Sequence, residues 1–163
     1  MTSVAVTGHM DLTDRTVRLV RVALDRLLIS YGGSDLVGLS CLAAGADSVF
    51  AQAVLAAKGR VVAVLPTRRY RADVVDEEHA PLFDQLLAQA GEVIVLPHVT
   101  ADRDAYEAAN AELLRRADRL VAVWNGEPPS GMGGGTADTV HAARAAGIPV
   151  DVVWPEGASR ARG

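Results

Sequence analysis

Gly133, Gly134, Gly135 and Thr136 stand between an apolar run, Arg119–Trp124, and a helical pattern, Thr136–Ala146. A glycine-rich turn leading from a strand into a helix brings backbone N–H groups against a bound anion, with the helix dipole behind them. Consecutive glycines also carry no Cβ that would hold a phosphate away. Thr136 can cap the helix and offer its hydroxyl to the same anion. Asn125 and Gly126 open the segment from the strand side. Two readings fit these residue types: a phosphate cradle for a nucleotide-like ligand, and a surface loop closed by a helix cap.

Other residues able to do chemistry fall where further apolar runs end. In Thr7-Gly8-His9-Met10-Asp11, Gly8 permits a tight turn and Asp11 or Thr13 can cap the next helix. His9 is either a structural hydrogen-bonding group, the commoner role of a single turn histidine, or a site residue. In Cys41 to Asp47, Gly45 and the small Ala46 permit close backbone approach. Asp47 is a helix cap or a receptor for a ribose hydroxyl. Cys41 has no activating partner in view and reads as a small buried residue. Arg68, Arg69 and Arg71 around Tyr70 either clamp a phosphate or form a solvated edge. The carboxylates before His79 do not have metalloprotease spacing and complement a helix dipole instead. Tyr106 and Asn110, four apart, share a helix face. Asn is locally unfavourable inside a helix, so a ligand or a buried carbonyl is expected to hold it. None of these patterns calls for a metal or a cofactor.

The elements that must position these residues alternate regularly. Short β-branched runs recur at Val4–Thr7, Leu36–Ser40, Arg60–Leu65, Glu92–Leu96, Arg119–Trp124 and Val150–Trp154. Helical patterns lie between them at Asp11–Tyr31, Ala43–Ala57, Val74–Ala90, Asp102–Ala117 and Thr136–Ala146, with stops at Gly59, Gly91 and Gly147. Continuous apolar strands alternating with helices predict a mainly parallel six-stranded sheet covered on both faces, an α/β Rossmann-like three-layer domain. Residues 1–155 form that single domain, and 156–163 read as a polar, frayed tail. In such a fold the ligand lies beyond the carboxyl ends of the strands. That rule selects Gly8, His9, Gly45, Ala46, Asp47, Asn110, Asn125, Gly126 and Gly133–Thr136 as candidate ligand contacts.

Composition narrows the class. The 163 residues are 50% hydrophobic, enough for one core without disulfide or metal staples. The formal net charge of −4 argues against a nucleic-acid partner. Cys41 is the only cysteine. The first residues run straight into an apolar strand without a signal-peptide pattern, and no run has the length of a membrane span. A soluble, cytoplasmic protein with no membrane partner is expected.

Gly38-Leu39-Ser40 through Ala43-Ala44-Gly45-Ala46-Asp47 resembles the corresponding segment of the SLOG superfamily, named for the Smf/DprA DNA-processing proteins and the LOG cytokinin-activating enzymes. Tyr106–Asn110, Ala117–Trp124 and Gly133-Gly134-Gly135-Thr136 resemble, in the same order, that family's helix, strand and phosphate loop. The resemblance implies a nucleotide-type pocket. LOG enzymes hydrolyse an N-glycosidic bond of a nucleoside monophosphate with a glutamate three residues after the loop threonine; that position is Thr139 here. Without the carboxylate, hydrolysis loses its main electrostatic support. The resemblance therefore implies a stand-alone SLOG-like binding module. The alternative is a nucleoside monophosphate N-glycosidase with Asp11, Asp47 or Glu77 as acid. The LOG relatives further imply a homodimer, using helical surface near Tyr106–Ala117.

Overall fold

The computed structural model describes residues 1–129 and 135–161. Strands β1 (Thr2–Gly8), β2 (Leu36–Ser40), β3 (Arg60–Thr67), β4 (Glu92–His98), β5 (Arg119–Val123) and β6 (Val150–Val152) form one sheet, ordered β4-β3-β2-β1-β5-β6. Every pairing is parallel. Helices α1 (Asp14–Ser30), α2 (Ala46–Ala56), α3 (Tyr70–Asp73), α4 (Ala80–Gln89), α5 (Arg103–Arg116) and α6 (Thr136–Ala145) connect the strands. The chain therefore has the predicted α/β Rossmann-like architecture.

Successive strand residues point to opposite faces, and in the inner strands β1, β2, β3 and β5 both faces are buried, which is why these read as apolar runs; the edge strand β4 leaves Val93 and Val95 exposed. Val4, Val6, Val61, Ala63, Val121 and Val123 pack with Val20, Leu24 and Leu28 of α1, Phe50 of α2 and Phe83 of α4. Ala5, Leu39, Val62, Val64, Leu120 and Ala122 pack with Ala109 and Leu113 of α5 and Val140 and Ala143 of α6. Each fully buried Leu or Phe contributes about 1.5–3 kcal/mol by leaving water. At the amino end of the sheet the Tyr31 hydroxyl donates to Asp151, whose carboxylate also takes Nε and Nη2 of Arg119 at 3.2 and 3.0 Å. Burial pushes Tyr31 up to about 12, so it remains a donor there.

Four local readings need correction. The helix expected over Val74–Ala90 begins only at Ala80, because Pro81 fits the first turn of a helix and not its interior. The arginine segment before it contains the short α3, with Tyr70 turned inward. Of the three predicted glycine stops only Gly147 takes the left-handed backbone; after α2 that conformation falls on Lys58 (φ 65°). The segment after residue 155 is docked through residue 161. Arg160 bridges to Leu12, the Ala161 N–H donates to the Asp11 carbonyl, and Ser159 exchanges hydrogen bonds with the buried Thr16 hydroxyl. Thr16 and the Asp11 backbone offer partners that a composition argument does not reveal. Among the described residues, no helix is long and apolar enough to cross a membrane.

Candidate functional site

Helices α1, α2 and α4 cover one face of the sheet and α5 and α6 the other. The strand order reverses between β1 and β5, so the loops leaving these neighbours part company. A cleft of about 680 Å³ opens at this point. Its walls come from the loops after β1, β2 and β5, from Tyr70 and Val74, from the inner face of α5, from the start of α6 and from Arg160. Of the predicted contacts, Gly8, His9, Asp47, Asn110, Gly135 and Thr136 line it. Gly45, Ala46, Asn125 and Gly126 are absent from its lining, and Gly133 and Gly134 lie outside the described residues.

Gly45 and Ala46 act behind the wall. A Cβ on Gly45, whose φ is 78°, would stand 2.6 Å from the carbonyl oxygens of His9 and Met10. The Ala46 N–H donates to that His9 carbonyl at 3.1 Å. A Cβ on Gly8 would meet the Ala46 Cβ at 2.4 Å and the Val123 Cβ at 2.8 Å. The two glycines thus let the start of α2 seat directly on the end of β1. Asn125 and Gly126 shape the loop after β5. Gly126 supplies a left-handed turn (φ 88°), and the Asn125 side chain donates to Glu127 at 2.7 Å.

His9 fastens the cleft's two halves. Its N–H donates to the Val123 carbonyl at 3.1 Å, and its Nε2 accepts the Asn125 N–H at 3.2 Å. Its ring edge meets the Trp154 ring at 5.6 Å. An accepting Nε2 assigns the proton of the neutral ring to Nδ1. Burial first, and the Arg160 charge second, hold His9 below the usual imidazole range. The structural role foreseen for it is therefore present, within a residue that also lines the cleft.

Asp47 is not a helix cap. The N-cap of α2 is Gly45, which makes no side-chain cap bond, and the Asp47 carboxylate accepts the Ala43 N–H at a long 3.4 Å. That is weak compensation for burial, which pushes the carboxyl up to about 7. The loop is held firmly around it. The Ser40 hydroxyl donates to the Asp47 carbonyl at 3.0 Å and accepts the Leu42 N–H at 3.0 Å. Leu42 has left-handed backbone (φ 57°), and its carbonyl accepts His79 Nε2 at 2.9 Å. A non-glycine residue kept in this region marks a loop whose shape is over-determined by its surroundings. Cys41 lines the cleft too, but burial and then the Asp47 charge raise its thiol well above the ordinary value. It is not an activated nucleophile.

At the start of α6, Gly135 and not Thr136 is the N-cap. The Gly135 N–H already donates to the Asp138 carboxylate at 3.2 Å. The remaining first-turn N–H groups have no intrahelical acceptor. Thr139 is buried and donates its hydroxyl back to the Gly135 carbonyl at 3.1 Å. The arginine cluster is a solvated edge: Arg71 forms a two-pronged pair with Asp84 at 2.8 and 3.0 Å, and Arg69 pairs with Asp73. Of the alternative acids, Asp11 is paired with Arg160, and Glu77 is exposed outside the cleft lining. Sequence reasoning missed Arg160, Trp124 and Glu127 as cleft residues. Arg160 had no signal beyond its charge, because only the docked backbone brings it here. Among the described residues, no group of three or more His, Cys, Asp or Glu is placed to hold a metal ion.

No protein-family model and no curated protein matches the chain. Solved structures share its fold. DNA processing protein A from Streptococcus pneumoniae matches with a TM-score of 0.69 at 18% identity, over 96% of this chain and 52% of that one. The chain thus spans about half the length of that protein. DNA processing protein A from Helicobacter pylori, described for its single-stranded DNA binding mode, matches with a TM-score of 0.69 at 16% identity, over 98% of this chain and 69% of that one. The molybdenum cofactor binding protein from Rippkaea orientalis matches with a TM-score of 0.60 at 18% identity, over 93% and 75% of the two chains. The likeness shows an α/β Rossmann-like fold shared with these proteins; at these identities it defines the fold alone.

Proposed function

We propose that this SLOG-type domain binds a nucleotide-derived or phosphorylated small ligand in the cleft at the carboxyl ends of its strands. The observation that carries the reading is the convergence of Gly8, His9, Asp47, Asn110, Gly135 and Thr136, from well-separated parts of the sequence, on one cleft at the strand-order reversal. The cleft's volume of about 680 Å³ suits a mononucleotide-sized molecule. Tyr70, Tyr106 and Trp124 give it aromatic walls, and the start of α6 gives it an anion-seeking end. Asp11, Asp47, Glu127 and Asp138 on its lining disfavour a polyanion, in keeping with a small-molecule partner and not a nucleic acid. A single cysteine and such a ligand fit a cytoplasmic setting. The test is mass spectrometry of small molecules retained by natively purified protein. A phosphorylated nucleoside-type compound is expected; a protein that retains none and binds no added nucleoside monophosphate contradicts the reading.

One observation favours a second reading, a nucleoside monophosphate N-glycosidase. A carboxyl lifted to about 7 inside a cleft, as Asp47 is, has the protonation behaviour of a general acid. The buried Thr139 hydroxyl, at the position of the LOG glutamate, weighs against it.

We also propose a homodimer, as the LOG resemblance implies. Ala109 and Leu113 of the face foreseen for it are buried against the sheet. The surface left is the groove of about 380 Å³ between α5 and α6, lined by Ala111, Leu114, Ala142 and Ile148. Light scattering at twice the 17.1 kDa chain mass is expected, and a monomer mass contradicts it.

A further inference from the structure

We infer that Arg160 receives the anionic group of the ligand, and that the incoming anion takes the place Glu127 holds on its guanidinium. The inference rests on the cleft being a nucleotide-type site. Among the described residues Arg160 is the one lysine or arginine on the cleft lining, against the carboxylates of Asp11, Asp47, Glu127 and Asp138. At the start of α6 the cap N–H is already taken by Asp138, which leaves fewer donors for a phosphate. A fixed cation supplies what that helix end lacks.

The cation is fixed from both sides. The backbone of Arg160 is bridged to Leu12, and its neighbour Ser159 is locked to Thr16 by bonds of 2.8 and 3.0 Å. Its Nε lies 2.9 and 3.1 Å from the two Asp11 oxygens, and Nη2 lies 2.9 Å from Asp11 Oδ1. Asp11 therefore orients the fork from within, its side chain 25% exposed. The outer contact differs: Nη1 meets Glu127 Oε2 at 3.2 Å, and the Glu127 side chain is 59% exposed. An exposed ion pair of this kind is worth little and is replaced at little cost. A planar guanidinium fork also matches phosphate oxygens better than a carboxylate held at one oxygen. Glu127 keeps an anchor when released, since Asn125 Nδ2 donates to its other oxygen at 2.7 Å.

The experiment is calorimetry with AMP, GMP, CMP, UMP and dTMP and their parent nucleosides, on the wild type, Arg160→Ala and Glu127→Gln. The ratio of nucleotide to nucleoside affinity is expected to fall roughly 10- to 100-fold in Arg160→Ala. Glu127→Gln, which removes only the competing charge, is expected to tighten nucleotide binding about two- to fivefold. An unchanged ratio in folded Arg160→Ala overturns the inference and leaves the cleft reading intact. Should Arg160→Ala fail to fold, weaker nucleotide binding by Glu127→Gln overturns it instead. A wild type that binds none of the five nucleotides overturns both.

Discussion

The backbone N–H of Asn125 donates to His9 Nε2 at 3.2 Å, joining the loops after β1 and β5 across the reversal of strand order. The bond requires an unprotonated Nε2. The folded protein holds His9 below its ordinary value of 6.5, through burial first and Arg160 second. A histidine depressed on folding contributes stability that is present above the unfolded pKa and is lost as the pH falls below it. Urea unfolding at a series of pH values is expected to show the wild type losing stability relative to His9→Gln as the pH falls below 6.5. Equal slopes for the two proteins contradict this account of the ring.

Asp47 acts in the opposite sense. Burial pushes its carboxyl up to about 7 from an ordinary 3.8, so the folded state binds the extra proton between these limits. Stability is therefore lost as the pH rises through that window. Asp47→Asn keeps the shape and removes the charge. It is expected to stabilise the protein at pH 8 by about 1–3 kcal/mol and to flatten the profile between pH 4 and 7. A variant less stable than wild type at pH 8 shows that the ionised carboxylate is better compensated than its single long bond implies.

Gly8 is a packing residue as well as a cleft residue. A methyl group there meets Ala46 Cβ, Val123 Cβ and the Val123 carbonyl oxygen, all within 3 Å. Because two of these are packed between β1, β5 and α2, Gly8→Ala is expected to cost about 1–3 kcal/mol. The urea midpoint should drop with little change in slope. An unchanged midpoint means that α2 can retreat from the sheet freely.

Most of the fold was legible because the inner strands are apolar at their buried positions and each longer helix carries its own stripe. Leu36–Ser40 needed no tertiary information to be found. The errors cluster where a local rule was outweighed. Pro81 moved the start of α4, and Lys58 took a left-handed position expected of Gly59. At the site, the rule that ligands lie at the carboxyl ends of parallel strands led to Gly8, His9 and Asp47, which line the cleft. It did not separate Gly45 and Ala46, which serve loop packing, from true lining. Arg160 was invisible because its place depends on a backbone bridge to Leu12, nearly the whole chain away in sequence. The rise of the Asp47 pKa was equally hidden, since it comes from burial and not from neighbouring residues in the sequence.

Release of free base from nucleoside monophosphates is expected to be absent. Thr139 spends its hydroxyl on the Gly135 carbonyl and offers no carboxylate to a developing oxocarbenium ion. Incubation of the protein with AMP, GMP, CMP, UMP and dTMP should release no free base detectable by chromatography. Turnover at about 1 per second or faster, abolished in Asp47→Asn, reverses the conclusion in favour of the glycosidase.

A nucleotide-type ligand in the cleft between the β1 and β5 loops is the proposal on which the rest depends. Its most direct test is a titration of isotope-labelled protein with those same five nucleoside monophosphates, followed amide by amide in nitrogen–proton correlation spectra. Saturable shifts are expected at Gly8, His9, Asp47, Asn110, Gly135 and Thr136 with at least one of the five. Spectra unmoved by all of them, or shifts confined to the groove between α5 and α6, contradict it.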